Sequence, residues 1–446
     1  MEDAIKTLTA RGFYGQLTDP ALAELCQKQM ITFYVGFDPT ADSLHIGNLK
    51  QIMMMAHFQR HGHRPIALVG GGTGMIGDPS GKAKERQLLD QDTLAKNLVG
   101  IRAQLQRFLD FSPGPNAALI VNNADWLGRF SFIDFLRDVG KHFRVGEMLA
   151  KESVKARLSS DEGMSFTEFC YQLLQAYDFL HLFDAENCVL QMGGSDQWGN
   201  ITAGIDLIRK LRAKTAYGLT SPLVVTATGQ KFGKTEAGAV WLSAERTSPY
   251  EFYQYWVRSD DRDVIPWLKT FTFLEFEEIE YLRKSLDDAP ELREPHRRLA
   301  YEVTKLVHGN DAAENAVKAS QIMYGKDVAV LSDETRAKIE KLASKSLSWL
   351  IDGSNVDLYN MFSNVPSFDL SKSRLISGIP LIDLMVETGL TKSKAEARRL
   401  IQGGGVYVNN LKVDSVDKKV SLSDLASETM LVLRTGKKNY LLVKMK

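Results

Sequence analysis

Ile31-Thr32-Phe33-Tyr34-Val35-Gly36-Phe37-Asp38-Pro39-Thr40-Ala41-Asp42-Ser43-Leu44-His45-Ile46-Gly47-Asn48 is the stretch on which the fold turns. Its opening residues, through Phe37, are an apolar run of strand length. Asp38-Pro39-Thr40 is a turn, and His45 opens an apolar-periodic segment that continues through Ile52 to Phe58. The pattern predicts strand, turn and helix start. A helix N-terminus carries unpaired N–H groups and the positive end of the helix dipole. The imidazole of His45 and the carboxamide of Asn48, added there, suit polyphosphate oxygens.

Outward from this stretch, apolar runs at Pro65–Val69, Leu119–Asn122 and Cys188–Met192 alternate with amphipathic segments up to about residue 230, which predicts a parallel sheet with helices on both faces. Each run ends in glycine or polar residues, and ligands of open α/β sheets collect at the carboxyl ends of strands. From about Pro249 to Ile322 the pattern is helical, with runs at Tyr250–Val257, Leu274–Lys284 and Glu294–His308. Residues from about Met323 to Ser377 are less regular and predict a linker. The last segment, Ile379–Lys446, holds twelve lysines and arginines against seven acids, an excess of five. Its predicted helix Ser393–Gln402 carries Lys394, Arg398 and Arg399, then breaks at Gly403-Gly404-Gly405 into the strand Val406–Asn409.

The chain of 446 residues balances 55 basic against 55 acidic residues, so net charge alone predicts no attraction to nucleic acid and local patches must carry any such role. Hydrophobic residues at 44% and charged residues at 25% are ordinary for a globular protein of several domains. Cys26, Cys170 and Cys188 lie far apart, which argues against a disulfide framework or a cysteine-rich zinc site. With no signal-like N-terminus and no apolar window of bilayer length, the expectation is a cytoplasmic protein without membrane association.

Gly72-Thr73-Gly74-Met75-Ile76-Gly77 spells a dinucleotide-binding fingerprint and raises the competing reading of an NAD-linked oxidoreductase. Such a fingerprint should open a helix and be followed by an acid ending the next strand. Here Pro79 and Gly81 continue a loop, and Asp90 and Asp92 come too early, in a polar, helix-like stretch.

A second motif, Lys231-Phe232-Gly233-Lys234-Thr235, sits in a glycine-loosened loop from Thr226 to Gly238 and sets two ammonium groups where they can reach β- and γ-phosphates. With Gly193-Gly194-Ser195-Asp196-Gln197-Trp198-Gly199-Asn200 between the two motifs, the chain resembles the class I aminoacyl-tRNA synthetases, specifically the bacterial-type tyrosyl-tRNA synthetases. The resemblance also covers Thr73–Lys82 and Tyr171–Asp178, and so nearly the whole chain. It departs from the family pattern at Asn48, where a second histidine is usual, and at Phe232-Gly233 and Thr235, in a loop named for Met-Ser and Ser.

The resemblance implies a Rossmann-like α/β catalytic domain over 1–245, an α-helical anticodon-binding domain over 246–325, a linker over 326–378 and a small ribosomal-protein-like α+β RNA-binding domain over 379–446. It implies that Tyr34 and Asp178 meet the phenolic hydroxyl of tyrosine, that Asp78, Tyr171 and Gln175 hold its ammonium, and that Gln191 and Gln197 flank it. ATP falls to Gly36, Asp38, His45, Asn48, Gly193, Gly194, Asp196, Lys231 and Lys234, with Asp196 and the two glycines at the ribose. Thr40, His45, Asn48, Lys231, Lys234 and Thr235 are the expected catalytic set, and Lys394, Arg398 and Arg399 the expected RNA contacts.

The implied reaction is a two-step ligation of L-tyrosine to tRNA(Tyr) with ATP as co-substrate. Its Mg2+ is held mainly by phosphates and water rather than by a protein metal site, no cofactor is tightly bound, and the enzyme is a homodimer. Tryptophanyl-tRNA synthetases share fold and ATP motifs, but an indole would leave Tyr34 and Asp178 poorly matched. A non-catalytic RNA-binding protein on a retired scaffold is disfavoured by the intact loop lysines.

Overall fold

The unbroken apolar runs form one parallel sheet, as strands covered on both faces must. Its members are β1 (Thr32–Phe37), β2 (Arg64–Val69), β3 (Leu119–Asn122), β4 (Cys188–Gly194) and β5 (Tyr217–Ser221). Their order is β3-β2-β1-β4-β5. The computed structural model describes residues 3–80, 90–159, 163–229, 232–235, 238–324, 366–409, 411–425, 430–436 and 439–446. The edge strand β5, Tyr-Gly-Leu-Thr-Ser, is too short and mixed to stand out in the sequence. From β1 the chain winds outward through β2 and β3, then returns to the other side of β1 as β4. The order therefore reverses between β1 and β4, and a ligand crevice opens at their carboxyl ends.

Four helices matter for that crevice: α1 (Ile46–Arg60), α2 (Phe166–Glu186), α3 (Trp198–Arg212) and α4 (Asp261–Phe271). Ser165 caps α2, its Oγ accepting the Glu168 amide at 3.2 Å, worth about 1 kcal/mol. Phe179 and Leu182 of α2 and Ala203, Leu207 and Ile208 of α3 join Tyr34, Ile66 and Leu68 in one buried core against the sheet. Strands β6 (Lys234–Thr235) and β7 (Gly238–Ala239) form a small antiparallel hairpin within the second motif.

The fingerprint glycines open no α-helix: Thr73–Met75 is a single 3-10 turn that runs on as loop through Ser80. Asp90 caps the helix Gln91–Leu105, accepting the Thr93 amide at 2.7 Å, and serves no strand end.

The chain divides into two compact units, 1–247 with 259–288, and 248–258 with 289–446. Sequence periodicity groups every helix after residue 246 together, yet α4 and the helix Phe276–Asp288 cluster with the sheet. Helix α4 packs on α1 with Val264, Trp267, Leu268 and Phe271 buried, and the Arg11 guanidinium donates to the carbonyls of Lys269, Thr272 and Leu274 at 3.2, 3.2 and 2.8 Å. In the second unit the helices Pro249–Val257, Glu294–His308 and Asn310–Tyr324 pack on one another. That unit also holds β8 (Ser367–Leu370), β9 (Ile379–Pro380), β10 (Val406–Val408), β11 (Leu411–Lys412), β12 (Lys419–Val420), β13 (Met430–Thr435) and β14 (Asn439–Met445). One sheet runs β11-β10-β13-β14-β8 and a second pairs β12 with β9. The helix begins at Lys394 with Ser393 as its cap, and the glycine break leads into β10, as the sequence predicts. Strand β8 comes from the segment read as linker and pairs parallel with β14.

Candidate active site

Tyr34 and Gln191 are register partners across the switch point between β1 and β4, so their side chains leave the sheet on the same face. Both are buried, and among the described residues neither Tyr34 Oη nor Gln191 Oε1 has a hydrogen-bond partner. Burial, and secondarily the charge of Asp178, hold the Tyr34 hydroxyl well above its usual range, so it is a protonated donor. Two orphaned polar atoms at a crevice floor cost free energy that a bound polar ligand would return.

Asp178 accepts one hydrogen bond from the protein on each carboxylate oxygen. Asn123 Nδ2 donates to its Oδ2 at 2.9 Å and Trp126 Nε1 donates to its Oδ1 at 2.8 Å. Burial pushes its carboxyl up to about 7, against those two hydrogen bonds, which favour the ionised form. Asn123 also donates to Thr73 Oγ1 at 2.9 Å, and Thr73 donates to Asp38 Oδ1 at 2.9 Å. Tyr171 donates to the other oxygen of Asp38 at 2.8 Å. Asp38, expected at ATP, is therefore joined by a continuous chain of hydrogen bonds to the pocket floor. Asn123 and Trp126 do not figure among the residues expected from sequence. They fall outside the quoted motifs, and no local signal ties them to a residue more than fifty positions away.

A second cluster surrounds Asp78. Gln197 Nε2 donates to Asp78 Oδ2 at 2.7 Å and to Asp196 Oδ2 at 3.1 Å, and Gln175 Nε2 donates to Gln197 Oε1 at 3.3 Å. Asn200 Nδ2 donates to Gln175 Oε1 at 3.0 Å, and the Ser80 amide donates to Asp78 Oδ1 at 3.0 Å. Burial raises Asp78 above the usual carboxylate range, against the bonds from Ser80 and Gln197. Asp78, Gln175, Asp196 and Gln197 are thus brought together, and Tyr171 lies on the face of α2 that also carries Gln175 and Asp178. Gly36 is the exposed residue of β1, and a Cβ added there would meet only Leu68 Cδ2, at 4.0 Å. Gly193 and Gly194 end β4, where a Cβ on Gly194 would stand 2.4 Å from Asp196 Oδ1.

The two signature motifs meet in space. Gly233 N–H and C=O lie beside the start of α1: its carbonyl accepts the Val240 amide at 3.0 Å, and the Val240 carbonyl accepts the Ile46 amide at 3.0 Å. This corrects one expectation. The first amides of α1 are not open to an anion, because Ile46 gives to Val240, Gly47 to His45 Nδ1 at 3.0 Å, and Asn48 to the His45 carbonyl at 2.8 Å. What remains for phosphate is the dipole end and the side chains. With Nδ1 accepting, the neutral His45 ring carries its proton on Nε2, a donor. Asn48 Oδ1 accepts the His45 amide at 3.2 Å, so Nδ2 is the end that residue can offer. Thr40 is exposed, its amide on the Asp38 carbonyl at 2.9 Å. Lys231 lies outside the described residues, and for Lys234 and Thr235 only the backbone, strand β6, is described.

Among the expected RNA contacts, Arg398 and Arg399 are exposed, and Lys394 pairs with Asp383 at 2.8 Å.

A parallel sheet ordered β3-β2-β1-β4-β5, with a histidine-capped helix at its crevice and a lysine loop paired to that helix, defines a class I aminoacyl-tRNA synthetase core. Residues 27–325 match the family described as tRNA synthetases class I (W and Y), and residues 357–443 match the tyrosine–tRNA ligase SYY-like C-terminal domain. The chain is 48% identical over 446 residues to the tyrosine–tRNA ligase of Roseiflexus castenholzii, covering 100% of both. To that of Bacillus caldotenax it is 49% identical over 444 residues, covering 99% of each. Among solved structures, a C-terminally truncated mitochondrial tyrosyl-tRNA synthetase of Coccidioides posadasii is similar at a TM-score of 0.63 and 34% identity, covering 72% of this chain and 92% of that one. The corresponding Aspergillus nidulans structure gives 0.65 and 30%, covering 72% and 94%. The chain belongs to the tyrosine–tRNA ligase family.

Proposed function

We propose that the crevice activates L-tyrosine with ATP and that the chain then charges tRNA(Tyr). The observation that carries the tyrosine reading is the pair of orphaned atoms, Tyr34 Oη and Gln191 Oε1, on a floor where Asp178 is poised to accept. A phenol there accepts from Tyr34 and donates to Asp178, whereas an indole has no oxygen to accept. The carboxyl cluster at Asp78, with Tyr171 and Gln175, suits the α-ammonium, and Gln191 and Gln197 flank the substrate.

In the first step a carboxylate oxygen of tyrosine attacks the α-phosphorus of ATP in line, and the bond to the bridging oxygen breaks to release pyrophosphate. In the second, a hydroxyl of the 3′-terminal adenosine of tRNA attacks the tyrosyl carbonyl and AMP departs. No enzyme nucleophile is needed, so positioning and charge stabilisation supply the catalysis. We assign the departing pyrophosphate to Thr40, His45, Asn48, Lys231 and Lys234, with Thr235 shaping the loop, and the adenosine to Gly36, Asp38, Gly193, Gly194 and Asp196. Mg2+ accompanies ATP as an ion carried mainly by phosphate oxygens and water.

The helical region 246–325 takes the anticodon and the C-terminal domain, 379–446, contributes tRNA contacts through Arg398, Arg399 and Lys394. The protein works in the cytoplasm, as a ligase that charges tRNA for protein synthesis does. It works as a homodimer, a reading supported by exposed apolar side chains at Phe132 (65%), Ile133 (68%) and Val145 (61%). Exchange of pyrophosphate into ATP, run separately with each standard amino acid, tests the assignment. Tyrosine alone should support it; exchange with tryptophan, or none with tyrosine, overturns it.

A further inference from the structure

Asp263, Trp267 and Phe271 stand four residues apart on α4 and so form one stripe of that helix. The whole stripe faces the loop of the second signature motif. Both carboxylate oxygens of Asp263 accept the Ala227 amide, at 2.9 and 3.0 Å, which fixes the start of the Thr226–Gly238 loop. Farther along, Phe232 lies buried against the other two residues. Its ring is parallel to Phe271, with centroids 5.3 Å apart at 7°, and edge-on to Trp267 at 5.1 Å and 71°. An aromatic side chain between two lysines of a glycine-rich loop would ordinarily sit in water. Here it is part of the interior.

The platform is tied to the other half of the ATP site. Helix α4 packs on α1, the helix that His45 opens. Just beyond α4, Phe273 lies under the guanidinium of Arg60 at 4.1 Å and edge-on to His57 at 4.8 Å, both on α1. The Arg11 bonds to Lys269, Thr272 and Leu274 close the C-terminal end of the same helix. One frame thus holds the histidine motif and anchors the lysine loop.

We propose that Phe232 and Asp263 are positioning residues for adenylate formation: docked on α4, they set where the backbone of β6 at Lys234 stands relative to His45 at the start of α1. Neither touches substrate. Two long cationic side chains on a loop of glycines lose most of their value if the backbone beneath them wanders, because stabilisation of a departing pyrophosphate depends on charge already in place. Anchoring the backbone at Ala227 and Phe232 removes that freedom before ATP arrives. The inference rests on the assignment of the lysine loop to ATP.

The test compares Phe232→Ala, Phe232→Met, Asp263→Ala, Lys234→Ala and the Phe232→Ala/Lys234→Ala pair. Three quantities are read on the full chain: the single-turnover rate of tyrosyl-adenylate formation, tyrosine affinity, and the rate of transfer from preformed adenylate to tRNA. Phe232→Ala should slow adenylate formation on the order of 10²-fold, the cost of misplacing a reacting geometry by about 1 Å. Tyrosine affinity and the transfer rate should hold, and Phe232→Met, which keeps an apolar anchor, should recover most of the rate. The paired variant should be about as slow as the slower single one, since a misplaced lysine and a missing lysine are the same loss. Should Phe232→Ala fail to fold, Asp263→Ala carries the same expectation. Wild-type adenylate formation in the Phe232 and Asp263 variants, or effects that multiply in full in the pair, overturns the proposal while the lysine assignment stands. If Lys234→Ala itself forms adenylate at the wild-type rate, the lysine assignment falls and this proposal with it.

Discussion

Trp126→Phe removes one N–H from Asp178 while keeping an aromatic ring on His181. The indole Nε1 donates to Asp178 Oδ1 at 2.8 Å and its ring stacks on His181 at 4.2 Å and 20°. A hydrogen bond to a charged group contributes about 1.5–3 kcal/mol. At about 1.4 kcal/mol per pH unit, its loss lifts the carboxyl by about one to two units from its place at about 7. The sign follows from what the substrate needs. Tyr34 is protonated and gives a hydrogen bond, so the phenol must find an acceptor for its own proton, and Asp178 is an unencumbered acceptor when ionised. Below its pKa, Asp178 turns donor, and tyrosine loses part of its advantage over phenylalanine. Discrimination should therefore rise with pH through about 7 in the wild type and level off above. The Trp126→Phe curve should lie about one to two units higher, leaving the variant about 3–10-fold less selective halfway between the two midpoints. The ceiling is about 10⁴–10⁵ for a site built to hydrogen-bond a substrate hydroxyl, a magnitude for which tyrosine–tRNA ligase is itself the standard example. The assay is kcat/KM for pyrophosphate exchange with tyrosine and with phenylalanine across pH; their ratio cancels the ionisation of ATP and of the shared α-ammonium. A pH-independent ratio, or a variant curve that overlays the wild type, refutes the reasoning.

Gly233 has φ +81°, and a Cβ there would stand 3.0 Å from Ile46 Cγ1; Gly233→Ala should cost about 1–2 kcal/mol in backbone strain and slow adenylate formation about tenfold. Equal loss of tyrosine affinity in a stopped-flow titration would place the damage in the pocket instead. Cutting the chain between Tyr324 and Pro366, so that β8 leaves with the sheet it pairs into, should spare tyrosine activation and impair tRNA charging, with a shallower dependence of tRNA affinity on salt. Unchanged affinity and salt slope in filter binding would make the C-terminal charge excess a solvated surface only. Phe132→Glu with Ile133→Glu should shift the protein to monomer in sedimentation, and a dimer that persists would move the interface elsewhere.

Local patterns in the sequence carried the frame. The run from Ile31 through Phe58 reads as strand, turn and helix because period and turn chemistry are properties of adjacent residues, and the structure places β1 and α1 there. The helical period likewise puts Tyr171, Gln175 and Asp178 on one side of α2. Motif order was enough to name the family, since its motifs are short local strings of fixed residue type.

Tertiary structure decided who satisfies whom. The amides that open α1 look available from the sequence but are taken by Val240 and by His45 itself, across almost two hundred positions in the first case. Asn123 and Trp126 hold Asp178, Arg11 bonds the C-terminal end of α4, and Phe232 is buried on that helix rather than exposed in its loop. None of these has a periodic signature. A residue's neighbours along the chain set its backbone conformation, but whether a polar atom is paired or orphaned, and where a carboxyl titrates, depends on groups brought beside it only when distant segments pack.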